Sequence, residues 1–381
     1  MTSVRKTSGR RILAQAHGVI VVLLFGHAVA GSAIAEVIHI QITSREPFAE
    51  HVTGKIGPYE RLRGRVVYAL DPEHDANKRI VDLETATPNE DGRVEFFADL
   101  EILAPVDRDH AQSTVLYVVN NRGRRTWGAE PFFLSRGYVT VSSGWIAEVP
   151  VTPRLLRLEA PIANDKENVN VVGTVRADFV TDQPAERLPI SNQLSYEPLA
   201  SRVSDATLTR RMREKDAPEL IPRDWWQLQV AKGSGEEGSG LVEVQVTLDG
   251  GFEPGVIYEV IYDARGSVVQ GTGFSAMRDL VSFLKHDTSR MNPLLCDDGS
   301  PIATRVIGEG RSQSGRAIRM FLYEGFNTDE EGRQVFDGVM PTIAGGGQGF
   351  FNHRFASPTR TNTQHRSHLY PSWRSRGCLD S

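Results

Sequence analysis

The sequence is poor in cysteine, and this excludes several classes of protein. Cys296 and Cys378 are the only two in 381 residues. They form no C-x-x-C pair and no Cys/His pattern with zinc-ligand spacing. A disulfide framework, a structural zinc site and any other metal site are therefore not expected. In an oxidising compartment the two thiols could form one bridge or stay unpaired.

The chain also lacks a long run of charge of one sign. Its net charge is −5, and an acidic balance gives no support to nucleic-acid binding. Apolar residues make up 40% of the sequence, so global disorder is not expected. The length allows one large domain or two ordinary ones.

No apolar run is long enough to span a membrane comfortably, which argues against an anchor. Instead, residues 1–35 have the pattern of a signal peptide: four basic residues (Arg5, Lys6, Arg10 and Arg11), the apolar stretch VIVVLLFGHAVA, and the small residues AIA ending at Ala35. The Arg10–Arg11 pair weakly resembles a twin-arginine signal. We therefore expect export to the periplasm or medium without a stable membrane anchor after cleavage, and a mature net charge of −9, because four positive charges leave.

The pattern of strands and helices predicts an α/β domain over 36–351 with a β-rich insertion over 145–255. Strands are predicted near 38–42, 64–70, 92–103, 113–120 and 137–145, the last two of them buried, with a short helix at 129–136. After the insertion, strands at 255–264, 303–310 and 336–347 alternate with helices at 274–286 and 314–326. This alternation predicts a mostly parallel sheet flanked by helices. Residues 352–381 read as an irregular basic tail.

The segment GEGRSQSGRA, residues 308–317, contains the main candidate for chemistry. A Walker A loop would need Lys and then Ser or Thr where Arg316 and Ala317 stand. A dinucleotide fingerprint would need Gly or Ala at Gln313. A nucleophile elbow needs small residues two positions before and after its serine, and Gly310 and Ser314 supply them around Ser312. Ser314 is the weaker nucleophile, because Arg316 would hold its +2 position. A structural turn is the alternative reading.

A second glycine motif, GTGFSA at 271–276, matches G-x-G-x-x-A at the start of a predicted helix. A dinucleotide loop would need a strand that feeds directly into it and an acidic residue after the next strand. Neither is clear. Close packing of the helix on the sheet is the favoured interpretation, and a dinucleotide-dependent enzyme is a third, remote hypothesis.

Several longer stretches resemble a family of large, mostly exported bacterial α/β-hydrolase-domain proteins. They are SREPFAE, GPYERLRGRVVYALDPEHDANKRIVDLE, LYVVNNRG, GYVTVSSGW, GFSAMRDLVSFL, GRSQSGRAIRMFLYEGFNTDEEGRQVFDGVMPTIAG and FNHRFASPTR. The resemblance covers most of 44–360 and is most specific over 310–360.

This resemblance implies an α/β-hydrolase fold with Ser312 as the nucleophile. The oxyanion hole would combine the backbone N–H of Gln313 with one from Asn121 or Arg122. In this fold the triad acid and histidine follow the serine, yet only 69 residues do so here. Family members are longer, so the chain is expected to be C-terminally truncated and to lack the last strands.

The histidines after Ser312 offer only tentative bases. By position, His353 is the best of them. His365 and His368 fall in the irregular tail, and Asp337 is interpreted as structural.

Together, the residues and the resemblance predict an exported serine hydrolase. It would act on a small-molecule ester through an acyl-enzyme, without a cofactor. The alternative is a catalytically incompetent hydrolase fragment or a binding protein.

Overall fold

The computed structural model describes residues 36–49, 56–124, 130–167, 169–231 and 240–359. The predicted signal peptide, His365, His368 and Cys378 lie outside these ranges. Cys296 is half-buried and free, and burial raises the pKa of its thiol.

Strands predominate in the described chain, and its α-helices are few. The strands are β1 Val37–Ala49, β2 Tyr59–Leu70, β3 Val94–Pro105, β4 Thr114–Val119, β5 Thr140–Ser143, β6 Leu158–Glu159, β7 Val172–Phe179, β8 Ala185–Pro189, β9 Ser195–Pro198, β10 Thr207–Arg211, β11 Glu219–Leu220, β12 Trp226–Val230, β13 Leu241–Val242, β14 Val244–Phe252, β15 Ile257–Arg265, β16 Arg305–Arg311 and β17 Gly338–Thr342. The α-helices are α1 Pro131–Leu134, α2 Thr272–His286 and α3 Gln313–Tyr323. Short 3₁₀ turns lie at Leu83–Thr85, Arg108–His110, Ala200–Asp205 and Arg223–Trp225.

The main sheet has the strand order β1-β2-β3-β5-β4-β16-β17, with β6 beside β3. Strands β1, β2, β3 and β5 pair antiparallel, whereas β5, β4, β16 and β17 pair parallel. The prediction of a mostly parallel sheet was therefore wrong for its first half. Neighbouring strands can run parallel only where a crossover joins them, whereas β1, β2 and β3 return alongside one another and therefore pair antiparallel.

A second body of β-structure holds most of the predicted insertion. One sheet has the order β11-β10-β15-β9-β13 with β7 beside β15, and another has the order β12-β14-β8. Strand β15 was expected to belong to the parallel sheet, but it pairs with β7, β9 and β10 instead. Its alternate residues Tyr258, Val260 and Tyr262 are buried in the core of this second body, which explains why its apolar pattern resembled that of a main-sheet strand.

Helices α2 and α3 pack together against the main sheet. Phe274 of α2 makes an edge-to-face ring contact with Phe321 of α3, and Phe321 in turn contacts Phe336. Helix α3 ends in a Schellman motif: the N–H of Phe326 bonds to the carbonyl of Phe321 and that of Gly325 to Leu322. The predicted helix at 129–136 is only the four-residue α1. Within the described ranges, no helix is both long and apolar enough to cross a membrane.

Residues 350–359, here called the strap, form no helix or strand but are firmly tied to the fold. Phe355 packs against the cores of both β bodies. Arg354 forms a two-bond ion pair with Asp82 at 2.6 and 2.8 Å, and the Tyr196 hydroxyl donates to the Ala356 carbonyl at 2.7 Å. The first part of the predicted tail is thus integrated into the structure.

Candidate active site

The link between β16 and α3 is a single residue, Ser312. Its φ is 59° and its ψ is −115°, a conformation that residues with a Cβ rarely adopt. The residue is exposed, and its N–H donates to the Thr342 carbonyl at 2.9 Å. The backbone is therefore sharply bent, and the serine lies at the N-terminus of α3, where the helix dipole favours negative charge.

Two glycines make this bend sterically feasible. A Cβ on Gly310 would lie 2.5 Å from the Ser314 carbonyl oxygen, and one on Gly315 would lie 2.7 Å from the Gly310 oxygen. Ser314 is buried and closes the turn: its Oγ accepts from the Arg311 N–H at 2.9 Å and donates to the Arg311 carbonyl at 3.0 Å. Ser314 therefore has a structural role in the turn, and Ser312 is the accessible hydroxyl.

Non-glycine residues with a strained, positive φ are concentrated at one edge of the main sheet. Among described non-glycine residues, positive φ occurs at Asp82, Arg122, Ser312, Ile343 and Phe355. Three of these five, Arg122, Ser312 and Ile343, follow the carboxyl ends of the neighbouring parallel strands β4, β16 and β17. Strain of this kind is frequent at functional sites, and the carboxyl edge of a parallel sheet is where ligands bind.

The turn after β4 lies directly against the elbow. Arg122 and Gly123 have φ of 54° and 73°, and the Arg124 N–H donates to the Asn121 carbonyl at 3.2 Å, as in a turn with two left-handed central residues. The Asn121 Nδ2 donates to the Arg311 carbonyl at 3.0 Å. The structure thus brings Asn121 and Arg122 next to Ser312 and Gln313.

Gln313 is buried and anchored by the strap. Its Nε2 donates to the Pro358 carbonyl at 2.6 Å. Next to this contact, the Thr359 N–H and Oγ1 both donate to the Glu148 carboxylate, at 3.0 and 2.7 Å. The sequence analysis missed Glu148 and Thr359. The only signal for Glu148 was a carboxylate inside the apolar stretch WIAEV that follows a buried strand.

Among the contacts within the described ranges, none joins His353 to the elbow. Its Nδ1 is 2.9 Å from the Arg354 carbonyl oxygen and its ring makes an edge-to-face contact with Phe350. Its neighbour Asn352 donates to Glu324 at the C-terminal end of α3, the end opposite Ser312. Within the described part of the chain, no hydrogen bond links the side chain of Ser312 to any residue.

The other candidates have structural roles. Asp337 accepts from the Val306 N–H at 2.7 Å and from Lys285 at 3.1 Å, as predicted. A Cβ on Gly271 would lie 2.2 Å from Asn352 Oδ1, and one on Gly273 would lie 2.1 Å from the Trp145 carbonyl oxygen. The GTGFSA segment is buried throughout, so it packs α2 closely and leaves no room for a pyrophosphate. The described residues contain no group of three His, Cys, Asp or Glu side chains that could hold a metal ion.

Comparison with known proteins gives one family. The model of a family described as an alpha/beta hydrolase domain matches residues 245–373, roughly a third of the chain. Searches of curated proteins and of solved structures found no match. The matched stretch contains β15, α2, β16, the elbow, α3, β17 and the strap. Over this third of its length, the chain is therefore similar to an alpha/beta hydrolase domain.

Proposed function

We propose that this protein is a serine hydrolase that cleaves carboxylic esters through an acyl-enzyme formed on Ser312. The observation that carries the proposal is the strained, exposed backbone of Ser312 between β16 and α3, with φ at 59° and ψ at −115°. This is the conformation that a nucleophile elbow requires. The family match, which includes this segment, supports hydrolysis as the reaction class.

In the proposed reaction, the Ser312 Oγ attacks the ester carbonyl carbon and gives its proton to solvent water, since the residue is exposed. The tetrahedral oxyanion collapses as the C–O bond to the leaving group breaks, and the leaving alkoxide takes a proton from water to become the alcohol. A second water then hydrolyses the acyl-enzyme to the acid and regenerates Ser312. The backbone N–H of Gln313, at the first position of α3, would donate to the oxyanion. A second donor would come from the 121–123 turn, since the Asn121 Nδ2 donates to the Arg311 carbonyl at 3.0 Å and so ties that turn to the end of β16.

The strap holds the proposed oxyanion donor Gln313 in place. The bond from Gln313 to Pro358 fixes the side chain of the residue whose main chain would bind the oxyanion. A donor that is already oriented costs no reorganisation when the negative charge develops. We do not assign His353 as the base, because its ring contacts are to Phe350 and Arg354.

The test is covalent labelling of the purified protein with a fluorophosphonate probe, read by intact mass. We expect one adduct, and we expect Ser312→Ala to abolish it while Ser201→Ala, at an exposed serine of the second body, does not. Absence of labelling in protein with a cooperative unfolding transition would refute the proposal.

A second candidate function is ligand binding without turnover. One observation favours it: within the described ranges no histidine is hydrogen-bonded to Ser312, and a serine without a base is a weak nucleophile. Loss of triad members leaves only the rate from the oxyanion hole and binding, several orders of magnitude below a complete site. Binding of an ester to unlabelled but folded protein would support this candidate.

We further propose that the protein acts after export, with cleavage following Ala35. The basic and apolar pattern of residues 1–35 supports this proposal. N-terminal sequencing of protein from the producing cells tests it: a start at Glu36 is expected, and a retained Met1 in fractionated periplasm or medium would contradict it.

A further inference from the structure

Resting on the proposed function, we propose that the substrate carries an anionic group, a carboxylate or a phosphate, which is bound by arginines beside the elbow. The arginines are Arg122, Arg124 and Arg311. They lie on the two segments that meet at Ser312: Arg122 and Arg124 in the turn after β4, and Arg311 at the end of β16.

The two arginines of the turn form a pair of like charges. The guanidinium of Arg122 is partly buried, and burial together with the neighbouring Arg124 lowers the pKa of Arg122. Its one side-chain hydrogen bond within the described residues is to Asn121 Oδ1, at 3.0 Å. Holding two like charges close together costs free energy unless an anion compensates them.

Nearby carboxylates compensate the two charges only in part. Glu148 attracts Arg122 electrostatically, but it is one carboxylate near two arginines, and it also accepts both hydrogen bonds from Thr359. Burial raises the pKa of the Glu309 carboxyl, and its electrostatic interaction with Arg311 opposes that rise. Among the described carboxylates, none forms an ion pair with Arg122, Arg124 or Arg311. The guanidinium groups therefore retain donors for a ligand.

The net charge of the chain is −5, so the average surface repels an anionic substrate, whereas the arginines on the segments beside Ser312 attract it. Arginine presents paired donors that match the two oxygens of a carboxylate or phosphate. A positive region next to the nucleophile would both raise the local concentration of an anionic ester and orient it.

The proposal that the substrate is anionic is tested by comparing kcat/KM for two matched esters, one charged and one neutral. The substrates are mono-4-nitrophenyl adipate and its neutral methyl ester, corrected for spontaneous hydrolysis. We expect kcat/KM to favour the anionic ester by about tenfold or more at low salt, since a hydrogen bond to a charged group is roughly twice as strong as one between neutral groups. The preference should shrink at high salt. In Arg122→Gln, Arg124→Gln and Arg311→Gln the selectivity ratio should fall several-fold.

The matched control is Arg305→Gln, which removes the same charge from the opposite end of β16, about 20 Å away at the usual rise of a strand. It should leave the ratio unchanged. A wild-type ratio near one, or equal ratios in the Arg122 and Arg305 variants, overturns the inference while the hydrolase proposal stands, provided that Ser312 is labelled by the fluorophosphonate.

A binding measurement keeps the inference testable even without turnover. Calorimetric titration of Ser312→Ala protein with adipate and with inorganic phosphate shows which anion is preferred. We expect at least one to bind, and Arg122→Gln in the same background to weaken it several-fold. Stronger binding of adipate assigns a carboxylate, and stronger binding of phosphate assigns a phosphate. No binding of either anion overturns the inference.

Discussion

Replacement of Gly310 by alanine tests whether the elbow depends on close backbone packing. The added Cβ would lie 2.5 Å from the Ser314 oxygen, 2.6 Å from the Ser314 carbonyl carbon and 2.9 Å from the Gly315 nitrogen. All three are backbone atoms, so the strain can be relieved only by moving the turn itself. Overpacking of this kind costs about 1–3 kcal/mol, and we expect the upper end because no side chain can move aside.

Gly308, two residues earlier on the same face of β16, provides the control. A Cβ there would lie 2.6 Å from Ile318 Cδ1 and 3.2 Å from carbon atoms of the Phe336 ring. The tip of an isoleucine can rotate away, so Gly308→Ala should cost about 1 kcal/mol or less, at the low end of overpacking. The two variants carry the same added methyl group on the same strand.

Urea unfolding measures the loss of stability, and the rate of fluorophosphonate labelling measures the effect on the reactivity of Ser312. We expect Gly310→Ala to unfold at lower urea than Gly308→Ala and to label about 100-fold more slowly than the wild type, since a displacement of about 1 Å at a reacting group has an effect of that size. If Gly310→Ala labels at the wild-type rate and unfolds together with Gly308→Ala, the elbow does not depend on this packing and the reasoning is refuted.

Three further predictions concern the surroundings of the elbow and the core. His353→Gln should leave the labelling rate of Ser312 within about twofold, because the ring contacts Phe350 rather than the serine; a loss of 100-fold would identify His353 as the base. Thr359→Val removes the 2.7 Å hydroxyl bond to a buried carboxylate and should lower the free energy of unfolding by about 1–3 kcal/mol in urea titrations, whereas an unchanged midpoint would contradict the role of the strap. Burial raises the pKa of Glu330 to about 7, so the folded state holds the proton of this carboxyl more tightly than the unfolded state does. The contribution of Glu330 to the free energy of unfolding is therefore complete below about pH 4 and is lost as the pH rises through about 7. Glu330→Gln should therefore flatten the decline in unfolding free energy between pH 5 and 8, and equal slopes in variant and wild type would contradict the assignment.

The elbow is the part of the site that local sequence constrains most strongly. A serine can take a φ of 59° only where its neighbours leave room, and that requirement selects small residues at fixed offsets. Gly310, Ser314 and Gly315 are therefore visible in the sequence, and so are the strand before them and the helix after them. The strand before the 121–123 turn was also predicted from a local pattern, in its case a continuous apolar run.

The sheet that each strand joins was harder to predict from the sequence, because it depends on pairing with strands that are distant in the chain. An apolar alternation such as that of β15 indicates a half-buried strand but does not say which sheet it joins. Gly271 and Gly273 show the same limit: the glycine fingerprint was visible in the sequence, and only the close approach of Asn352 and Trp145 to these glycines showed that it serves packing.

The sequence by itself determined that Ser312 would lie on a tight turn at the start of a helix, because that geometry follows from residues within a few positions of one another. Only the tertiary structure decided that Asn121 would hold the Arg311 carbonyl and that Pro358 would hold Gln313. These contacts join segments that are up to 190 residues apart. They are set by how sheets and loops pack, and local patterns carry no information about that packing.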